Sequence, residues 1–63
     1  MNPPHTVNAR LRNPETRDET LLEIADWVRD TCLFFGTSAP LAYQLAALFI
    51  SGLAREVKPE GEE

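Results

Sequence analysis

The feature that most constrains this chain is a run of 24 residues, from Thr31 to Ala54, that contains no charged side chain. A membrane-spanning helix needs about 20 consecutive apolar residues, so the run is long enough on paper to be one. Its middle, however, is Gly-Thr-Ser-Ala-Pro at positions 36–40. A glycine suits the position just past a helix end, hydroxyl residues cap the next helix, and proline suits its first turn. The sequence therefore favours a turn between two helices, and a small membrane-inserted protein is kept as an alternative.

The first predicted helix begins within residues 13–17. Asn13 before Pro14 is one candidate cap, and Thr16 followed three residues later by Glu19 is another, because this spacing makes a capping box. Apolar residues then recur at intervals of three and four, which places them on one face of a helix. That face comprises Leu21, Ile24, Ala25, Val28, Cys32 and Phe35.

The second predicted helix has Thr37 or Ser38 as its cap and runs to about Val57, before Pro59 ends it. Its polar residues form one narrow strip, and apolar residues fill the rest of its circumference. One neighbouring helix covers a stripe of only about 100°, so we expect the first helix to cover one apolar flank and a second copy of the chain to cover the other. The predicted dimer interface is Leu41, Leu45, Phe49 and Leu53 on one flank and Tyr43, Ala47, Ile50 and Ala54 on the other.

Together these helices predict an all-α fold, an antiparallel two-helix hairpin that dimerises into a four-helix bundle. The hairpin domain occupies residues 14–57, between a flexible N-terminal arm at 1–13 and an acidic tail at 58–63. Chains of about 60 residues bury only about 60% of their unfolded surface, so they usually need a staple or a partner chain. Cys32 is the only cysteine, which excludes an intramolecular disulfide. Homodimerisation is then the expected source of the missing core.

Acidic residues recur along one side of the first helix, at Glu19, Glu23, Asp26 and Asp30. An amphipathic helix ordinarily presents such a charged side to water, and this is the simpler interpretation. The alternative is a docking stripe for a protein with a basic surface, since aligned charges steer association. Leu22 and Leu33 lie on the same charged side and complete the predicted partner-binding set, unless the homodimer or the arm covers them.

The charge balance argues against generic binding of nucleic acid. Ten acidic and six basic residues give the chain a net charge of −4, which repels phosphate backbones. Half of the positive charge lies at Arg10, Arg12 and Arg17, so a nucleic-acid-associated transcription or copy-number regulator that uses a basic arm is the alternative function. A solvated arm is the simpler account of these arginines.

Nothing in the sequence favours catalysis, a metal site or a cofactor. His5 lies in the predicted arm, far from Cys32, and the carboxylate stripe lacks a pocket that would set two pKa values apart. No Cys/His set has the spacing of metal ligands. The N-terminus lacks the apolar core of a secretory signal, and a lone thiol suits a reducing compartment, so we expect the cytosol.

The segment LLEIADWVRDTCLFFGTSAPLAYQLAALFISGLARE resembles the dimerising helix pair of Mor-type middle-gene transcription activators of Mu-like bacteriophages. The resemblance implies a dimerising hairpin; the DNA-reading helix-turn-helix of that family follows the pair and has no counterpart here. Overall we expect a small non-enzymatic interaction module or regulator that homodimerises and binds a basic protein partner. The residues that carry the resemblance are Gly36, Ala42, Leu45, Ala46, Ile50 and Leu53.

Overall fold

The computed structural model of the protein describes residues 6–61, which form three helices. Helix α1 spans Val7–Arg12, α2 spans Pro14–Phe34 and α3 spans Ala39–Glu56. The prediction of an all-helical chain is confirmed for these residues. Helices α2 and α3 correspond to the two predicted helices, and α1 is an additional element.

Helix α1 differs from the flexible arm that the sequence predicts for residues 1–13. The Thr6 side chain caps it by accepting a hydrogen bond from the Ala9 backbone N–H at 3.2 Å. Leu11 has no exposed surface and belongs to the core. A helix of six residues is too short to be stable in isolation, so its stability comes from this tertiary packing. Residues 1–5 of the predicted arm, including His5, lie outside the described part of the chain.

Asn13 separates α1 from α2 and serves both helices. Its backbone N–H donates to the Ala9 carbonyl and closes α1, and its side chain accepts from the Glu15 N–H at 2.9 Å and opens α2. Of the two predicted starts, the structure therefore uses Asn13 followed by Pro14. The hydroxyl of Thr16 is not a cap but donates to the carbonyl of Arg10 at 2.7 Å, which ties α2 back to α1.

The turn between α2 and α3 has the backbone that the sequence predicts. Gly36 has φ +93°, a conformation that is costly for any residue with a Cβ atom. The Gly36 N–H donates to the Leu33 carbonyl and the Thr37 N–H donates to the Cys32 carbonyl, the paired bonds of a Schellman motif. Ser38 then occupies the N-cap position of α3, although its side chain makes no capping bond. The charge-free run is thus cut into the end of one helix and most of another.

Helix α2 packs against both α1 and α3, and no Cα atom of α1 lies within 8 Å of a Cα atom of α3 in the described chain. The only apolar side chains buried among residues 6–61 are Leu11, Ala42 and Ala46, with Thr20 as the buried polar residue. Small residues at 42 and 46 let α3 approach α2 closely. The spacing of Phe35 predicts a place on the buried face, and this prediction is wrong. Phe35 lies just past the end of α2 and is 77% exposed.

Arg17 joins all three helices at one end of the molecule. Its guanidinium donates to the carbonyls of Leu11 at 2.9 Å, Val57 at 2.6 Å and Ala54 at 2.9 Å. These carbonyls lie at the C-terminal ends of α1 and α3, where the helix leaves them without intrahelical partners and where the helix dipole favours a cation. Arg17 therefore closes two helix ends at once and holds the start of α2 beside the end of α3.

The residues after α3 are also attached to the helices. The Glu60 N–H donates to the Arg12 carbonyl at 2.7 Å, which joins the predicted acidic tail to the end of α1. Glu62 and Glu63 of that tail lie outside the described residues.

Candidate interaction surfaces

An apolar groove runs between α1 and α3, with α2 as its floor. Its volume is about 380 Å³. The groove exists because α1 and α3 both pack on α2 while their backbones stay apart. Arg10 and Glu23 stand at its edge and form an ion pair at 3.0 Å that links α1 to α2. Its apolar lining consists of Val7, Ile24, Trp27, Phe49 and Leu53.

The apolar surface continues from the groove along one side of α3. Leu41, Leu45 and Phe49 are spaced four residues apart and Leu48 is seven residues after Leu41, so all four lie on one side of the helix. A shallow depression beside them is lined by Leu48, Phe49, Gly52 and Leu53 together with Arg55 and Glu56. We call the combined surface the groove face; it consists of Val7, Trp27, Leu41, Leu45, Leu48 and Phe49, all of which are exposed.

The predicted dimer-interface residues fall into two groups in the structure. Leu41, Tyr43, Leu45, Ala47 and Phe49 are exposed, whereas Ile50, Leu53 and Ala54 are half-buried next to the contact with α2. Helix α2 covers only part of the first flank of α3, which also contains Ala42 and Ala46. These two residues are buried because their small side chains allow the closest approach. The sequence interpretation did not include Val7, Trp27 or Leu48 in the interface.

The two flanks of α3 have different surroundings. On the flank away from the groove, the Arg29 guanidinium lies over the ring of Tyr43, 5.4 Å from its centroid, which is within the range of a cation–π contact. Arg29 also bonds Asp30 at 3.0 Å and Asp26 at 3.3 Å. The hydrogen bond that Arg29 donates to Asp30, together with the charge of that carboxylate, raises the pKa of Arg29 against the opposing effect of desolvation. Tyr43 is thereby already engaged with α2, unlike the leucines on the groove side.

The predicted acidic stripe is exposed, but most of its charge is locally paired. Glu23 pairs with Arg10, and Asp26 and Asp30 share Arg29. Glu19 takes part in none of the ion pairs among the described residues. The spacing of three residues between Asp26 and Arg29 makes their contact visible in the sequence, whereas the contact from Arg10 to Glu23 depends on α1. Leu22 and Leu33 are exposed at 67% and 41%, as that interpretation requires.

The three arginines of the alternative nucleic-acid site have different surroundings in the structure. Arg17 is committed to backbone carbonyls, and Arg10 is paired with Glu23. Arg12 is exposed and lies near Asn8, Glu56 and Lys58 at a shallow depression. Two of the three arginines therefore already have partners within the described chain, and nucleic-acid binding through them stays a prediction.

In residues 6–61 no group of three His, Cys, Asp or Glu side chains could hold a metal ion. Cys32 is a free, half-buried thiol on α2. None of the three helices described here has both the length and the hydrophobicity that crossing a bilayer requires.

Comparison with known proteins returned no match: no family model, no curated protein and no solved structure corresponds to this chain. The resemblance to the helix pair of Mor-type activators therefore stays a prediction.

Proposed function

We propose that this protein is a non-enzymatic interaction module that homodimerises and binds a protein partner with a basic surface. The observation that supports the proposal is the imbalance between core and surface. Leu11 is the only apolar side chain larger than alanine that is fully buried in the described chain. Eleven large hydrophobic side chains are exposed instead: Val7, Leu22, Trp27, Leu33, Phe34, Phe35, Leu41, Tyr43, Leu45, Leu48 and Phe49.

This imbalance has a thermodynamic consequence. Burial of apolar surface contributes about 25 cal/mol per Å² and is the main term that offsets the loss of conformational entropy on folding. A core of one leucine and two alanines contributes little of it. Single exposed apolar residues are ordinary, but a contiguous apolar patch marks an interaction surface. Association through such a patch stabilises the folded chain by mass action.

The paired helices give this association a natural form. Two copies, each with α2 packed on α3, bring four long helices together, which is the arrangement of a four-helix bundle. In such a bundle the second copy supplies the layer that the monomer lacks. Sedimentation equilibrium at micromolar concentration tests this part: we expect a mass of two chains, and a monomer at all accessible concentrations contradicts it.

The acidic side of α2 supports the second part of the proposal, the basic partner. Glu19 is exposed, lies one turn before Glu23 and makes none of the described ion pairs, so its charge is available to a partner. The net charge of −4 adds long-range attraction to a basic surface. The local pairing of Glu23, Asp26 and Asp30 lowers the field of the stripe, so we expect a weak, salt-sensitive contact.

A matched pair of charge reversals tests the acidic contact. Glu19→Lys and Asp18→Lys change the net charge equally at neighbouring, exposed positions of α2, but Asp18 lies about 100° around the helix from Glu19. Affinity capture from the native host should lose the basic partner with Glu19→Lys and retain it with Asp18→Lys. Equal capture by both variants would remove the acidic side from the proposal and leave dimerisation untouched.

A further inference from the structure

We infer that the groove face is closed by the groove face of a second copy of this chain, in a two-fold dimer to which α1 contributes a wall. This inference rests on the proposed homodimerisation and specifies its surface. It differs from the sequence expectation, in which the second copy covers a flank of α3 alone. Here Val7 of α1 and Trp27 of α2 belong to the interface together with the leucines of α3.

The exposed area of the groove face is close to what a dimer interface needs. The six residues of the groove face are between 40% and 65% exposed. With side-chain areas of roughly 150–250 Å² for aromatic residues and somewhat less for leucine and valine, their exposed parts sum to roughly 550 Å² per protomer. A stable interface of standard size buries about 800 Å² per partner, so the face supplies about two thirds of that area and its polar edge can supply the rest. The opposite flank of α3 offers only Tyr43 and Ala47, and Tyr43 is already engaged with Arg29.

The charges around the groove face are compatible with contact between two copies. Two chains of net charge −4 repel each other unless the contact itself is neutral or complementary. One edge of the groove carries Arg10 and Glu23, which neutralise each other. The α3 edge, beside Leu48, carries Arg55 and Glu56. Because each edge has both charge signs, a two-fold axis can bring the two faces together without opposing like-charged patches.

The groove face must be covered whenever the chain is folded. Leu11 is the one large apolar side chain that the described monomer buries completely, so the folded state depends on burial of the groove face at all times. A foreign partner provides such cover only when it is bound. A second copy is present whenever the chain is synthesised, and symmetric self-association is the commonest form of closed assembly.

Two exposed leucines provide a matched test. Leu48, on the groove face, is 64% exposed, and Leu22, on the charged side of α2, is 67% exposed. Leu48→Glu and Leu22→Glu therefore make the same change of polarity and charge at equally exposed helix positions. Since each substitution enters a two-fold interface twice, Leu48→Glu should weaken self-association by roughly a hundredfold or more in sedimentation equilibrium, and Leu22→Glu should leave it within about threefold.

The unsubstituted protein supplies a second readout, because Trp27 is its only tryptophan and is 65% exposed in the monomer. In the full chain, Trp27 fluorescence should shift to the blue and resist acrylamide quenching at roughly 10 µM, and both effects should reverse on dilution below the dissociation constant that sedimentation gives. This measurement does not depend on whether Leu48→Glu folds alone.

The outcomes separate this inference from the proposed function. A dimer in which Trp27 remains open to acrylamide, or one that Leu22→Glu rather than Leu48→Glu dissociates, refutes the groove face but keeps homodimerisation. A monomer with an open Trp27 at every concentration refutes both. A monomer in which Trp27 is shielded shows that the chain covers its own face, which refutes the second copy as the occupant. Shielding that appears only when a foreign protein is added also refutes it.

Discussion

Among substitutions of single polar residues, replacement of Arg17 should lower the free energy of unfolding the most. Its guanidinium donates three hydrogen bonds, to the carbonyls of Leu11, Ala54 and Val57. Arg17→Met keeps the apolar stem and removes every donor. The carbonyls of Leu11, Ala54 and Val57 then lose the hydrogen bonds from Arg17. The end of α3 is no longer attached to the start of α2.

The magnitude follows from these contacts. A hydrogen bond from a charged donor contributes roughly 1.5–3 kcal/mol when it is well buried. Arg17 is half-buried and water can reach the freed carbonyls, so about 1 kcal/mol per bond, or about 3 kcal/mol in all, is the appropriate figure. Loss of a cation at two helix C-termini adds roughly 0.3–1 kcal/mol each. A domain of 63 residues has a free energy of unfolding of only about 3–9 kcal/mol, so the substitution unfolds the chain at the lower end of this range and removes about half of its stability at the upper end.

The assay is urea unfolding followed by far-ultraviolet circular dichroism, at one fixed chain concentration because self-association contributes to stability. Arg17→Lys should lie between the wild type and Arg17→Met, since an ammonium cannot reach three carbonyls with the geometry of a guanidinium. Arg12→Met is the control, because Arg12 is exposed and its side chain makes no hydrogen bond or ion pair among the described residues. If Arg17→Met unfolds at the wild-type urea concentration, the three bonds contribute nothing and this account of how α1 and α3 are held is wrong.

Two further predictions concern the turn and the first helix. Gly36→Ala should lower the free energy of unfolding by roughly 1–2 kcal/mol, because φ is +93° and strain rather than crowding opposes the new Cβ atom; Gly36→Asn should cost less, and equal urea midpoints for all three proteins would contradict this. Leu11→Ala should cost roughly 2–5 kcal/mol in the same assay, since Leu11 is completely buried, whereas Asn8→Ala on the exposed side of α1 should change stability by less than about 0.5 kcal/mol; a silent Leu11→Ala would mean that α1 is not part of the folded core.

The limits of α2 and α3 could be predicted from the sequence because they depend on local backbone chemistry. Asn13 before Pro14 opens one helix, Gly36 ends it, and Pro40 lies in the first turn of the next. Each of these signals acts within a few residues. The observed end of α3 at Glu56, with Val57 as its cap, is likewise set by the nearby Pro59.

Helix α1 could not be predicted in the same way. Six residues are too few to show a helical period, and the interactions that hold α1 are distant in sequence. Leu11 becomes buried only when α2 is present, and Arg17 reaches the Leu11 carbonyl across the junction between the two helices. The arginines therefore appeared to be a basic arm, although two of them are structural.

The sequence also could not predict which part of the apolar surface of α3 contacts α2. Periodicity gives the width of the arc but not the direction from which the neighbouring helix approaches. Steric contact decides this: α2 packs where Ala42 and Ala46 leave room, so the larger leucines beside them stay exposed. A stripe of small residues inside a wide apolar arc is the sequence signal that could have located the contact with α2.

Helix α1 connects the stability of the fold to its ability to associate. Leu11 anchors it in the core, and Val7, one turn earlier, lines the groove. The same helix carries Arg10, whose ion pair with Glu23 spans the groove edge. Detachment of α1 would expose core surface and also remove one wall of the groove, so the two losses should occur together. In a chain with so small a core, the surface that binds and the structure that folds share the same six-residue helix.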